Sequence, residues 1–254
     1  MYKIILIIIL IIIFLSANKS EKFIVDEQKI PKIIIQTWKD NIIPGRYYKD
    51  IKSLIKNNKD YEYIFFSDND IEKFLQENYP EYYKTYMKLP YKIQKIDFFR
   101  YVAIYHFGGF YFDLDISGLD SLDSLLGYNT IFPVDIFLPN NCNDERVTEF
   151  CINNKLKIKH LLGQYAFAAS KNNNFIKYII EGIHNNIDKY IDAVEKDNKF
   201  NREYYIYKTT GPDYVTKMYL DYNDKNDIFI LKSKHNNEQF FGNYAHHNCY
   251  GTWK

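Results

Sequence analysis

Short apolar blocks alternate with polar ones along most of this chain. The stretch IPKIIIQTW, residues 30–38, is an apolar run behind a proline and reads as a strand. Tyr48–Asn57 has a helical period. The stretch YEYIFFSDND, from Tyr61, reads as a second strand ending in a polar turn. Ile71–Asn78 and Tyr82–Lys88 read as helices. The clearest helical pattern is Lys92–Phe107, stopped by Gly108-Gly109. A strand follows at Phe110–Asp113, and another at Asn129–Val134. Residues 139–160 are polar and irregular. Beyond them, residues 163–170 read as a strand, Phe175–Asn185 and Pro212–Tyr222 as helices, and residues 228–231 as a strand. The tail YAHHNCYGTWK has no clear period.

Strands and helices alternate over the first half, which predicts an α/β layered fold with a mostly parallel central sheet. Ligands of such sheets bind beyond the carboxyl ends of the strands. Three strands end in polar clusters: Gln36-Thr37-Trp38, Ser67-Asp68-Asn69-Asp70 and Asp113-Leu114-Asp115. Those ends are expected to face one crevice.

The apolar run from Ile4 to Leu15 changes the picture at the N-terminus. It falls short of the roughly 18–20 residues that span a bilayer. Its length suits a signal-peptide core behind Lys3, and a short uncleaved signal-anchor is the rival. More lysines follow the run than precede it, which argues weakly against a luminal C-terminal domain and does not settle the orientation. Residues 1–17 are therefore expected to target or anchor the chain to a membrane, 18–29 to form a polar stalk, and 30–254 to fold as one domain. The expected location is the secretory pathway, anchored in its membranes, or outside the cell if the segment is cleaved. The sequon Asn18-Lys19-Ser20 sits too close to the run to be used.

Composition narrows the partners. The 254 residues carry a formal net charge of +1, with acids and bases interspersed, so no basic stripe points to nucleic acid. The chain has 25 Tyr and 19 Phe, and heavy use of Ile, Lys and Asn suits an AT-rich genome, that of a large DNA virus included. Its three cysteines have no zinc-type spacing. If the chain is secreted, Cys142 and Cys151 are a candidate disulfide; buried or free thiols are the alternative.

Candidate chemistry centres on the stretch HFGGFYFDLDIS, residues 106–117. In extended backbone, residues i and i+2 share a face, so Asp113 and Asp115 project together or bracket one point. Two hard oxygen ligands suit Mg²⁺ or Mn²⁺ with substrate phosphates in the shell. The bland alternative is a solvated turn after a strand. The helix before it sharpens the choice. At about 100° per residue, Ile93, Ile96, Ala103, Ile104 and Phe107 share one arc, and Asp97 and Arg100 fall inside it. Gln94, Lys95, Tyr105 and His106 lie opposite. A carboxylate and a guanidinium on an apolar face need a partner, either each other or a ligand. Arg100 has the planar fork that suits phosphate, and Asp97 the oxygens that suit ligand hydroxyls. Trp38 closes a strand where it can stack on a base, and Trp253 stands near the terminus. His246 and His247 are candidates for a third metal ligand.

The segments IPKIIIQTW, KIQKIDFFRYVAIYHFGGFYFDLDIS, QYAFAASKNNNFIKYII, TTGP and HHNCYGTW, in that order, resemble the glycosyltransferases of family 32 with a DXD-containing sugar-binding region. That family includes fungal initiating α-1,6-mannosyltransferases and sphingolipid mannosyltransferases, and more distantly the chain resembles the glucosylating domains of large clostridial toxins. The resemblance implies a GT-A fold and retaining transfer of a hexose from a nucleotide diphosphate sugar, GDP-mannose or a UDP-hexose, to a glycan or glycolipid hydroxyl. It implies Mn²⁺ or Mg²⁺ as cofactor. By position, Thr37 and Trp38 would line the base pocket, and Asp97 and Arg100 would meet the sugar and phosphate. Asp113 would contact ribose, sugar or metal. Asp115 would ligate the metal, with His247 or His246 completing the shell. Gln164 and Asp213 are further polar candidates. One departure is Ile35, where family members often carry a histidine. Two rivals remain: a non-catalytic membrane-tethered sugar-binding protein, and a phosphatase of the haloacid-dehalogenase type, whose signature FYFDLDIS also resembles. The second wants a later acidic strand end, and DYNDKND, residues 221–227, follows a helical pattern instead.

Overall fold

The computed structural model describes residues 28–138, 150–152, 155–196, 201–234 and 238–251. The strands are β1 (Ile33–Thr37), β2 (Glu62–Phe66), β3 (Gly109–Phe112), β4 (Ile116–Gly118), β5 (Thr130–Phe137), β6 (Cys151–Ile152), β7 (Lys155–Leu156), β8 (His160–Leu162), β9 (Ala166–Ala169), β10 (Ile228–Leu231), β11 (Phe240–Phe241) and β12 (Ala245–His247). The helices are α1 (Tyr48–Asn57), α2 (Asp68–Asn78), α3 (Pro80–Lys88), α4 (Lys92–Phe107), α5 (Asn174–Lys196), α6 (Arg202–Thr209) and α7 (Pro212–Asp221). The expected leader at 1–17 lies outside the described residues, as do most of the stalk, Cys142 and Trp253. Among the described residues no helix is long and apolar enough to cross a membrane.

The central sheet runs β10-β5-β9-β3-β1-β2, with β8 added on β5. β1 is parallel to both β2 and β3, and β10 is parallel to β5. β9 alone in that row runs against its neighbours β3 and β5. This is the mostly parallel α/β sheet that the alternating pattern predicts. Its central strands are buried on both faces, so they read as continuous apolar runs. Tyr111 and Ile35 face one core with α4 and α5, while Phe110, Phe112 and Ile34 face the other.

Some elements depart from the sequence reading for identifiable reasons. α2 starts at Asp68, because Ser67 and Asp70 cap each other reciprocally in what looks like a polar turn. α5 continues to Lys196, well past Asn185, since its apolar period carries on through Ile187. α6 was not anticipated: REYYIYKT is rich in strand-favouring aromatics, but Asn201 caps the Glu203 and Tyr204 amides and starts a helix. Gln94, expected on the outer face of α4, is buried and donates to Thr209 Oγ1 of α6 at 2.7 Å. The unperiodic tail forms β12, which pairs antiparallel with β11 just before it and with β4, so that His247 stands opposite Ile116. Cys151 is disulfide-bonded, and Cys249 is a free thiol.

The turn from α4 into β3 rests on two glycines. Gly108 has φ 72° and Gly109 φ 92°. A Cβ on Gly109 would stand 2.5 Å from the Ile33 carbonyl oxygen, because β1 passes against it. Gly109→Ala is expected to cost roughly 2–5 kcal/mol in denaturant unfolding, summing left-handed strain and overpacking. Gly45→Ala, with nothing within 4 Å, is the control and should stay within about 1 kcal/mol of wild type. Equal midpoints for the two variants would contradict the close approach.

Candidate active site

A cavity of about 850 Å³ opens at the carboxyl ends of β1, β2 and β3. Trp38, Asp68, Asp113 and Asp115 line it, so the three polar strand ends do face one crevice. The backbone of Asp113 is fixed first. Its N–H donates to the Tyr165 carbonyl at 2.8 Å, and its own carbonyl accepts from Gln36 Nε2 at 3.1 Å and Ile116 N at 3.2 Å. Tyr63 in turn donates to Gln36 Oε1 at 2.8 Å. β9 enters the sheet antiparallel, which brings its leading residues Gln164 and Tyr165 to this same edge.

Arg100 sits at the centre and is nearly wholly buried. Its Nη2 lies 3.2 Å from Asp97 Oδ1 and 3.2 Å from Asp113 Oδ1. Its Nη1 donates to the carbonyl of Gln164 at 2.8 Å and to the Gln164 side chain. The guanidinium also covers the Tyr111 ring at 4.7 Å, and Nε is buried without a partner. Asp97 accepts further from Gln164 Nε2 at 3.2 Å and Thr210 Oγ1 at 2.8 Å. The apolar-arc pair thus meets each other and a second carboxylate at the cavity wall. The two carboxylates keep the Arg100 pKa raised despite burial. Burial pushes the Asp97 carboxyl up to about 6, against the pull of Arg100 and Thr210. Burial likewise raises Asp113, with Arg100 opposing and Asp115 adding to the rise.

Asp113, Asp115 and His247 each offer a ligand atom within 4.8 Å of the others. β12 lying on β4 delivers His247 to the aspartates. His247 Nε2 is 3.3 Å from Asp115 Oδ1, and its Nδ1 lies 2.9 Å from Gln239 Oε1. An amide oxygen only accepts, so Nδ1 carries the hydrogen and Nε2 is turned to the aspartates. The imidazole stacks on Tyr165 at 4.5 Å. Burial favours the neutral ring, but the hydrogen bond and charge of Asp115, then Asp113, prevail and raise His247. Asp115 is lowered: burial works against this, and His247 and the Tyr250 amide overcome it. His246 stands apart, its ring tilted against Phe240 at 4.5 Å with Nδ1 3.2 Å from Asn248 Oδ1, so the structure places His247 at the cluster.

Trp38 forms a wall of the cavity with Tyr47, their rings 5.0 Å apart. Thr37 does not line the cavity; it is buried with Oγ1 3.1 Å from the Tyr111 hydroxyl, which donates to Asp113 Oδ1 at 3.0 Å. Asp213 is buried in the first turn of α7, away from the lining, although its neighbour Pro212 lines it. The sequence reading missed Thr210, Tyr165 and Gln239. The TTGP segment signalled the first and the apolar strand pattern of residues 163–170 held the second, while Gln239 sits in a stretch without a pattern.

An acid whose folded pKa exceeds the usual value of about 3.9 holds its proton longer in the folded state. For Asp97 the folded state binds more protons between about pH 4 and 6, so this contribution to stability falls as pH rises through that window. The unfolding free energy of wild type relative to Asp97→Asn should therefore fall from pH 4 to pH 7, as followed by urea midpoints. A difference that is flat or rises with pH would contradict the raised carboxyl.

Comparisons with known proteins fall on the part of the chain that carries this site. Residues 44–132 match the family model "Glycosyltransferase sugar-binding region containing DXD motif". "Inositol phosphoceramide mannosyltransferase 3" of Schizosaccharomyces pombe is 42% identical over 99 residues, which is 39% of this chain and 28% of that protein. "Initiation-specific alpha-1,6-mannosyltransferase" of Candida albicans is 37% identical over 117 residues, 43% of this chain and 30% of that protein. Each match thus takes in less than a third of the relative. A solved structure, "PaToxG Glycosyltransferase", aligns over 75% of this chain and 69% of that one with a TM-score of 0.47 and 17% identity. Over residues 44–132, which build α4, β3 and both aspartates, the chain is similar to glycosyltransferases with the DXD-containing sugar-binding region.

Proposed function

We propose that the protein is a metal-dependent retaining glycosyltransferase of GT-A type. It moves a hexose from a nucleotide diphosphate sugar, GDP-mannose or a UDP-hexose, to a hydroxyl of a glycan or glycolipid. One observation carries this reading: Asp113, Asp115 and His247 converge within 4.8 Å in the same cavity that holds the Arg100–Asp97 pair.

The donor set fits Mn²⁺ or Mg²⁺. Two carboxylates and an imidazole are hard or borderline ligands, and Gln239 holds the ring with Nε2 toward the aspartates. Bound there, the ion would neutralise charge gathering on the departing diphosphate. The chain's own residues do the rest. Trp38 and Tyr47 offer an aromatic wall for the base. Arg100 offsets Asp97 and Asp113 and holds them in place, so its cation reaches the diphosphate through space rather than through a free fork. Asp97 lines the cavity with no exposed side-chain surface, so it would meet sugar hydroxyls by exchanging its Gln164 or Thr210 hydrogen bond for one of theirs. Ile93, Ile96, Ile206 and Pro212 add apolar lining to the cavity, which Arg202 also lines, and this mix suits an amphiphilic acceptor. The names of the fungal relatives favour a mannosyl donor and a glycolipid acceptor.

The apolar segment at 1–17 would tether the domain at 30–254 through the stalk at 18–29, in the secretory pathway. The disulfide at Cys151 suits that oxidising environment.

The test is nucleoside diphosphate release by the full chain across a donor panel, with Mn²⁺ or EDTA. Turnover of one donor that needs Mn²⁺ and disappears in Asp113→Asn is expected. Metal-independent turnover would refute the metal centre, and no nucleotide binding at all would favour a non-catalytic protein. Asp115→Asn should lower turnover at least about 100-fold while costing about 1 kcal/mol or less in stability, since the amide still accepts from Tyr250 N. Wild-type turnover in that variant would remove Asp115 from the metal centre.

A further inference from the structure

Asp50 is a buried carboxylate to which the site described above gives no role. It lies in the first turn of α1, on the helix face that also buries Leu54. Only 2% of it is exposed, and among the described residues no Lys, Arg or His pairs with it. A carboxylate so placed needs hydrogen bonds, and the N-terminal turn of a helix favours its charge. Asp50 Oδ1 accepts from Ser117 Oγ at 2.6 Å and Asn248 Nδ2 at 3.2 Å, and Oδ2 accepts from the Tyr250 hydroxyl at 3.1 Å. Every partner is two or three residues from Asp115 or His247, or adjacent to one.

The same partners hold Asp115 from the other side. The backbone N–H and Nδ2 of Asn248 donate to the Asp115 carbonyl at 2.9 and 3.0 Å. Tyr250 N donates to Asp115 Oδ2 at 2.8 Å, leaving Oδ1 toward His247. α1 itself is fixed, since Ser53 Oγ accepts from Gly118 N at 2.8 Å and a Cβ on Gly118 would stand 2.6 Å from Leu54 Cα. The Tyr250 ring lies 5.7 Å from Tyr47, the partner of Trp38, and Arg46 covers both tyrosines at 4.9 and 6.0 Å.

We propose that Asp50 is a positioning residue: it anchors residues 248–250 and through them sets the metal-binding geometry of Asp115 and His247 and the aromatic wall at Tyr47. This rests on reading Asp113, Asp115 and His247 as metal ligands. Nearby hydrogen-bond partners of metal ligands typically change metal affinity by about 10–100-fold when removed.

The experiment measures Mn²⁺ affinity by titration calorimetry, and amide exchange at residues 247–250 in metal-free protein, for the full chain and three variants. Asp50→Ala should weaken Mn²⁺ by about 10–100-fold and speed exchange at Asn248 and Tyr250. Asp50→Asn, which can still accept from Ser117 and donate to Tyr250, should recover most of the loss. Tyr250→Phe keeps the ring and loses one anchor, so it should weaken Mn²⁺ by less than Asp50→Ala. Faster exchange with Mn²⁺ affinity unchanged would make Asp50 a structural staple only and overturn the proposal. If Asp50→Ala does not fold, Tyr250→Phe decides: unchanged affinity and exchange overturn it. Wild-type protein that binds no Mn²⁺ refutes the metal reading instead, and exchange alone then judges the anchor, with unchanged rates in Asp50→Ala overturning it.

Discussion

The site depends on one buried guanidinium shared between two carboxylates. Arg100 stands between Asp97, one turn back on the same helix, and Asp113, just beyond β3. Burying three charges is costly, and the cost is met only where each is paired and further hydrogen-bonded. That requirement reaches outward. Gln164 enters from the start of β9 and Thr210 from the turn between α6 and α7, each satisfying what the ion pairs leave over. The Tyr111 ring lies beneath the guanidinium and hands its hydroxyl to Asp113. The glycines at 108 and 109 let α4 turn back along β3 so closely that helix and strand can share this one cation.

A second constraint is topological. Asp115 and His247 come from distant parts of the sequence and meet because β12 pairs with β4. In that register His247 faces Ile116, one residue from Asp115, so a backbone ladder rather than a side-chain contact sets their approach. The antiparallel course of β9 does similar work, since it brings Gln164 and Tyr165 to the edge where the parallel strands end.

The parts visible in the sequence are those with a local cause. α4 was legible to the residue, because a long helical period meets a glycine pair. Asp97 and Arg100 stood out as charges on an apolar arc, and β3 as a run buried on both faces. Strand ends with polar clusters mark the crevice in the sequence itself. What escaped reading depends on distant partners. β12 has no period because one short strand is held by β4 and β11. Gln94 looked like a surface residue until α6 covered it, and α6 itself was hidden by aromatic residues whose strand preference its cap and packing override. Thr37 ends a strand as expected, yet its hydroxyl turns to Tyr111 rather than to the cavity.

These two origins divide the site physically. The Arg100 network is carried by α4, β3 and β9, elements packed into the main core; Arg100, Asp97 and Thr210 are almost without solvent contact, while Asp113 and Gln164 are half-buried at the cavity. The His247 side is carried by a short tail strand whose continuation at Asn248, Cys249 and Tyr250 is partly open to solvent. Local opening draws on segments with few buried apolar contacts, so the tail is the part of the site that can loosen without unfolding the domain. The tail makes up for its thin packing with hydrogen bonds, from Asn248 and Tyr250 to Asp115 and Asp50 and from His247 to Gln239. Fixed charges on the core side and a hydrogen-bonded strap on the other leave the cavity bounded by one rigid wall and one that a few polar contacts hold in place.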